Sequence, residues 1–359
     1  MLELCAPGET ISRFPVAVVD TVLAYQTFCT VQMEKVSVII PTRNRKEILY
    51  NTLALLAQQR AAIHEVIVID SSDIPIDPSE LYNKFAFNAC CLLRAKASVC
   101  AQRNEGIRRA TGDLVFLLDD DISLDRNYIT LGLSFFRNHP AALVVSGLVV
   151  EKNSSGSWEY ASPRSSFCRL VWTFVFQLGI WTDLEGTKKT RFNSFFLQQL
   201  QRYYRRLGNG ISKGGWPVLS HFSKPVFRSQ IYYLGASIIQ RDWLLGHLYT
   251  EKFDQHGIGD NYGIAIKLLP EQGVFILTDT SAYHHKHPAN RLGVTEAYYK
   301  RVLALDYFST LEGSASSIWL MWSLVGNLLD ACLHRQMDRV IINCKLMGIL
   351  LLNRNPLLR

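Results

Sequence analysis

The stretch GDLVFLLDDDISLD, Gly112–Asp125, runs from an unbroken apolar segment into three consecutive carboxylates, Asp119, Asp120 and Asp121. An LVFLL run of this length reads as a strand buried on both faces of a sheet. Three adjacent anions at its end repel one another. Either they form a solvated acidic loop, or a cation relieves them. Carboxylates at i and i+2 suit a hard divalent cation, which takes a few carboxylates and completes its shell with phosphate oxygens.

The surrounding sequence alternates in type. VSVIIP (36–41) is a short buried strand stopped by Pro41, and RKEILYNTLALLAQQ (45–59) has helical spacing. EVIVID (65–70) is a second strand, ACCLLRA (89–95) a third, and SVCAQRNEGIRRA (98–110) a helix leading to Gly112. Strands alternating with helices predict an α/β sheet whose ligands bind beyond the C-terminal strand ends. Three polar tips should therefore share one edge: Pro41-Thr42-Arg43-Asn44, Asp70-Ser71-Ser72-Asp73 and the acidic triplet. NHPAALVVSGLVVE (138–151), YYLGASIIQRDWL (232–244) and GVFILTDTSAYHHKH (273–287) supply further sheet elements, and the chain reads as helical from about 298.

Composition narrows the class. The chain has 359 residues, is 48% hydrophobic and 19% charged, and so has enough apolar sequence for a real core. A net charge of +7 favours anionic partners, and no zinc-finger or RNA-binding signature points to nucleic acid. Cys5, Cys29, Cys90, Cys91, Cys100, Cys168, Cys332 and Cys344 include no C-x-x-C pair, which argues against a zinc site or a disulfide framework. No secretory leader is evident, so the expected location is cytoplasmic.

Three further motifs have a structural and a functional reading. In QRNEGIRRATGD (102–113), Arg103 and Asn104 either lie on an exposed basic helix or reach a phosphate or the acids. Asp260, after Gly259, either caps a helix or serves as a base. In YHHKHP (283–288) the histidines form a solvated loop or complete a metal site.

Taken in order, VSVIIPTRNR, EVIVIDSSD, AQRNEGIRRATGDLVFLLDDDI, YLGASIIQRDWL and FDQHGIGDNYGIAIKL resemble a family 2 glycosyltransferase with the GT-A fold, over residues 35–290. The resemblance implies an inverting transfer of sugar from a nucleotide-diphosphate sugar, with Mg²⁺ or Mn²⁺, to a sugar or lipid-linked acceptor in surface polysaccharide or glycolipid synthesis. It places Pro41, Thr42, Arg43, Asp70, Arg103, Asp119, Asp120, Gly235, Ala236 and Ser237 around the donor. It also implies a metal on Asp121 with Asp119 and His285 (His284 the next choice) and a general base at Asp260. The family often writes the second tip as DDGS, where this chain has DSS, and it often places Glu before the base, where this chain has Gly259. That missing Glu favours a non-catalytic nucleotide-sugar-binding descendant, whereas Asp119, Asp121 and Asp260 together favour catalysis. A sugar nucleotidyltransferase should carry a Gly-rich basic loop, and a dinucleotide oxidoreductase G-x-G-x-x-G, where this chain has PTRNR.

The expected organisation is an N-terminal extension (1–34), a GT-A domain (35–295) with an aromatic and basic insertion (160–230), and a helical C-terminal region (296–359). MEKVSVIIP (33–41) reads as a complete start at Met33, which would make residues 1–32 dispensable. SSIWLMWSLVGNLLDACLH (316–334) is long and apolar, but Ser316, Ser323, Asn327, Asp330 and His334 form one polar stripe, which argues against spanning a membrane. FCRLVWTFVFQLGIW (167–181) has a similar stripe in Arg169, Thr173 and Gln177. Two readings follow: core helices showing a polar outer edge, or interfacial helices held to an anionic membrane by Arg335, Arg339, Arg354 and Arg359.

Overall fold

The computed structural model describes residues 34–87, 90–153, 155–160, 166–184, 187, 194–253, 256–269, 271–287 and 291–359. The expectations for residues 1–32 and the start at Met33 lie outside these residues.

The apolar runs form the strands they predict. Val36–Thr42 (β1) is followed by helix α1 (Lys46–Leu56), Glu65–Asp70 (β2), α2 (Pro78–Lys84), Cys90–Arg94 (β3), α3 (Val99–Arg109) and Leu114–Leu118 (β4). β1 and β4 are buried along their whole length, as a strand covered on both faces must be. β1 pairs in parallel with β2 on one side and β4 on the other, and β3 lies beyond β2. Strand order thus reverses between β1 and β4, which leaves a crevice at their C-terminal ends.

Beyond β4 the chain continues through β5 (Ile122–Leu124), α4 (Tyr128–Asn138), β6 (Val144–Lys152) and β7 (Trp158–Glu159). Next come α5 (Phe167–Val175), β8 (Ile180–Trp181), α6 (Ser194–Leu207), β9 (Val218–Leu219) and β10 (Val226–Ser229). β11 (Ala236–Gln240), α7 (Arg241–Leu245), α8 (Asp260–Ala265) and β12 (Val274–His284) follow. The large sheet has the order β10-β12-β6-β11-β4-β1-β2-β3, with β5 on β12 and β7 on β6. It is mixed, because β11 runs antiparallel to both β4 and β6. Part of the aromatic and basic insertion builds a small apolar cluster of its own, in which Leu170, Leu197, Leu200 and Tyr204 pack together.

The helical end comprises α9 (Val294–Glu312), α10 (Ser317–Leu333) and α11 (Met337–Leu351), and begins a few residues earlier than the sequence suggested. Asn355 is buried and donates to Leu303 O and Asp306 Oδ2, which ties the C-terminal segment back to α9. Much of the polar stripe of α10 is not an outer edge, which corrects part of one expectation; His334 at its end is exposed. Ser323 is fully buried and accepts from Trp216 Nε1 at 2.8 Å; Asn327 donates to Tyr298; Asp330 pairs with Arg169 at 2.9 Å. Thr173 and Gln177 are buried too. Polar groups between packed helices satisfy one another, so this part of the stripe turns inward. Ile318, Trp322, Leu329 and Leu333 are left exposed instead. Among the described residues no helix is long and apolar enough to cross a membrane.

Candidate active site

The three aspartates occupy the turn from β4 to β5, and their side chains diverge. The turn is pinned from below by Thr52, whose hydroxyl donates to Asp120 O at 2.6 Å. Asp119 continues the strand ladder by donating its N–H to Gly235 O, and its carboxylate accepts from Arg103 Nη2 at 2.7 Å and from the Tyr233 hydroxyl. Asp120 turns back to β1, where Thr42 Oγ1 donates to it at 2.8 Å and Arg45 at 2.9 Å. Asp121 faces β12 and accepts from Arg291 at 2.7 Å. Each acid therefore has its own guanidinium. Arginines thus offset part of the repulsion among the three acids.

These environments differ in their consequences. Burial pushes the Asp120 carboxyl up to about 6; Arg45 and Thr42 oppose the shift, and Asp121 adds to it. Burial also raises Asp121, but the His284 ring, Arg291 and Arg45 outweigh it and hold this carboxyl below its ordinary value.

Asp260 lies across the cleft at the first turn of α8. Gly259, with φ of 101°, precedes it, and a Cβ there would lie 2.4 Å from Ala304 Cβ, so this loop requires glycine. Arg103 spans the cleft floor: one nitrogen binds Asp119 and the other Asp260, and its guanidinium sits over the Tyr249 ring. Burial raises the Asp260 pKa, with Arg103 the main opposing influence. Arg103 is itself buried, so its reach toward the acids is the correct reading and the exposed-helix reading fails. Asn104 is also buried, but it is bonded to Tyr249 and Glu251, away from the acids.

The histidine nearest Asp121 is His284. Its Nε2 lies 3.5 Å from Asp121 Oδ1 and 2.8 Å from an Arg291 nitrogen, which can only donate. In the neutral ring Nε2 is therefore the accepting nitrogen, and Nδ1 carries the proton given to Glu151 at 3.0 Å. The ring of His285 turns instead to Ser123 and Trp158. The reason is sheet register: His284 stands opposite Glu151 on β6, on the same face, so the preferred histidine shifts by one residue.

Other expected residues divide clearly. Pro41, Thr42, Arg43, Arg103 and the three acids line one cleft of about 1210 Å³ together with Asp260. Asp70 is fully buried and does not line it. Its carboxylate accepts from Ser72 N–H, Ile76 N–H and Arg94, holding the loop after β2. Ala236 and Ser237 are sheet interior, paired with β4. Gly235 acts through Asp119, whose Oδ2 would lie 2.3 Å from a Cβ at 235. Sequence reasoning missed Arg45, Gln102, Glu151, Tyr233 and Arg291. Gln102 donates at 2.8 Å to both Thr42 O and Ile69 O, joining the first two tips. Only Arg45 had a local signal, as the last residue of the PTRNR tip.

Asp121 and His284 fit a divalent cation. The Glu151 carboxylate orients the imidazole through Nδ1, an arrangement typical of metal-bound histidines, and Nε2 and Asp121 share the Arg291 guanidinium as their cation. Among the described residues no cluster of three His, Cys, Asp or Glu side chains exists, so the remaining ligands would come from diphosphate and water.

Residues 37–217 match the family described as Glycosyl transferase family 2. The chain is 32% identical over 309 residues to the uncharacterized glycosyltransferase YfnE of Bacillus subtilis (strain 168), covering 78% of this chain and 74% of that protein. Among solved structures it is similar to the mannosyltransferase PcManGT from Pyrobaculum calidifontis in complex with GDP-Man and Mn²⁺. That match has 12% identity and a TM-score of 0.47, covering 88% of this chain and 82% of that one. It is also similar to GalNAc-T7 with UDP, GalNAc and Mn²⁺, at 15% identity and a TM-score of 0.47, covering 77% of this chain and half of that chain.

Proposed function

The chain belongs to glycosyl transferase family 2, with the GT-A fold and a helical C-terminal region, and we propose that it moves a sugar from a nucleotide-diphosphate donor to an acceptor hydroxyl with inversion. The observation that carries this reading is the Asp119–Arg103–Asp260 bridge across a cleft, with Thr42, Asp120 and Asp121 beside Asp119 on one wall and Asp260 on the other.

Pro41, Thr42 and Arg43 lie beside the nucleoside, and Asp119 beside the ribose. Asp121 and His284 hold the divalent cation, Mg²⁺ or Mn²⁺, which when bound supplies positive charge for the departing diphosphate. Arg45 and Arg291 line the same part of the cleft and add fixed positive charge there. Asp260 accepts the proton of the acceptor hydroxyl as that oxygen forms its bond to the anomeric carbon. The bond to the diphosphate oxygen breaks on the opposite face, and the leaving group departs with the electron pair. A carboxyl raised by burial is a stronger base than a free one, and Arg103 orients it.

The acceptor is a saccharide or lipid-linked saccharide of surface polysaccharide or glycolipid synthesis, a reading supported by the aromatic and apolar outer lining of the cleft. Exposed Ile318, Trp319, Trp322 and Leu333 support peripheral attachment to a membrane on its cytoplasmic face. Screening nucleotide sugars for Mn²⁺-dependent hydrolysis and transfer tests the function. Release of a nucleoside diphosphate from at least one donor, lost in Asp260→Asn, is expected, and a chain that binds donors without turning any over is a binding protein only.

A further inference from the structure

One wall of the cleft holds positive charge that the chemistry above does not use. The cleft face of α9 consists of Val294, Ala297, Tyr298, Arg301, Ala304 and Leu305, the three- and four-residue steps of one helical stripe. All but Tyr298 and Arg301 are aliphatic. Arg301 makes no hydrogen bond or ion pair among the described residues. Of the acids on its own helix, Glu296 pairs with Lys300, Asp306 accepts from Asn355, and Glu312 lies at the far end of the helix, about three turns away. Glu151, on the opposite side of the cleft, pairs with Lys286 and His284. The Arg301 side chain is exposed to the water of the cleft, and the protein around it lowers its pKa from the ordinary value by partial desolvation. An exposed guanidinium with no protein counter-ion among the described residues keeps its donors available to an anionic ligand that enters the cleft.

A second arginine from another helix lies nearby. Arg339, on α11, lines the same cleft and makes no ion pair among the described residues. Asn343, one turn further along α11, accepts from Tyr298 Oη at 2.7 Å, and Asn327 donates to the same oxygen at 3.1 Å. Tyr298 is thereby fixed in place, and it stacks on Trp216 with ring planes 8° apart. The position relative to the chemistry is also set. Ala304 packs against Gly259, the residue before Asp260, and Arg301 stands three residues earlier on the same face, about 4.5 Å along the axis.

From this geometry we propose that Arg301 and Arg339, with the Trp216–Tyr298 stack, form an acceptor subsite for a molecule that carries an oxyanion, phosphate or carboxylate, near its reacting hydroxyl. The proposal rests on the donor-and-acceptor reading given above and identifies the acceptor's chemical class. The guanidiniums bind the anion through charge-assisted hydrogen bonds, and the aromatic pair supports the apolar face of the group attached to it.

Calorimetric titration of the full chain tests this with three small probes: phenyl phosphate, benzoate and the uncharged phenyl β-glucoside. Each is titrated first into chain saturated with nucleoside diphosphate and Mn²⁺, and then into the ligand-free chain. Phenyl phosphate or benzoate should bind at least tenfold more tightly than the glucoside, and their ranking tells phosphate from carboxylate. Arg301→Gln should remove that preference, Arg301→Lys should keep part of it, and Arg339→Gln should weaken it. Equal binding of charged and uncharged probes, or unchanged preference in both glutamine variants, overturns the subsite. So does displacement of the anion by nucleoside diphosphate, which would assign Arg301 to the donor. If no nucleoside diphosphate binds the wild type, the donor reading fails on its own, and the titration into ligand-free chain still reads Arg301.

Discussion

The two walls of the cleft are built in different ways. The wall from β1 and β4 is made of strand tips: Thr42, Asp119, Asp120 and Asp121 each sit where a short apolar run ends. The facing wall, from Trp216, Asp260, His284, Arg291, Tyr298, Arg301 and Arg339, is assembled from loops, one strand end and three helices far apart in sequence. The first wall is fixed by its own strands, whereas the second depends on packing between elements distant in sequence.

Asp260→Asn tests the second wall most severely. The amide keeps the shape but cannot take the proton, so transfer should fall on the order of a hundredfold or more while donor binding persists. Steady-state rates and donor titration on one preparation check this, and near-normal turnover would reduce Asp260 to a structural residue.

Asp121→Ala should next remove the Mn²⁺ dependence of donor binding with the fold intact. Arg291→Ala should act in the opposite sense on the ligand-free chain, because it frees Asp121 and His284; Mn²⁺ should bind several-fold more tightly. Calorimetry with and without Mn²⁺ separates the two, and unchanged metal affinity in both variants would remove the cation from this end of the cleft.

Asp120 gives a pH test of the first wall. Its folded pKa of about 6 lies above the ordinary value of 3.8, so on acidification the folded chain takes up this proton before the unfolded chain does. Its contribution to stability therefore rises as pH falls through 6 toward 3.8. Between pH 7.5 and 5, wild type should gain a few degrees of Tm relative to Asp120→Asn. Parallel Tm profiles would mean that the carboxyl titrates normally.

The smallest effect concerns the outer face of the second wall. Replacing Trp319 and Trp322 by Ser should leave donor hydrolysis unchanged and halve, or more, the fraction that sediments with anionic vesicles, and salt should release wild type in the same way. Equal sedimentation of both proteins would mean that this face does not meet lipid.

What could be read from sequence follows the same division. The strands β1, β2 and β4 and their polar tips were legible because burial on both faces leaves a continuous apolar run, and because tips are local in sequence. Asp260 was legible only through its resemblance to a family pattern. Arg103 was singled out, but its role as a bridge between two acids depends on Asp260 reaching it from 157 positions away. Asp70 misled because a carboxylate at a strand tip looks the same whether it meets a ligand or holds its own loop.

The sequence by itself determined the α/β order, the edge on which the site lies and the three acids, because hydrophobic period and strand length are properties of short segments. Tertiary structure alone decided which guanidinium each acid receives, that Ser323 and Asn327 of the α10 stripe face inward, and that Arg301 has no partner among the described residues. It also chose His284 over His285, since the irregularity in β12 between Leu277 and Ser281 sets which residue of β6 each histidine meets. Pairing between distant groups depends on register and packing, and neither is written in the spacing of any one segment.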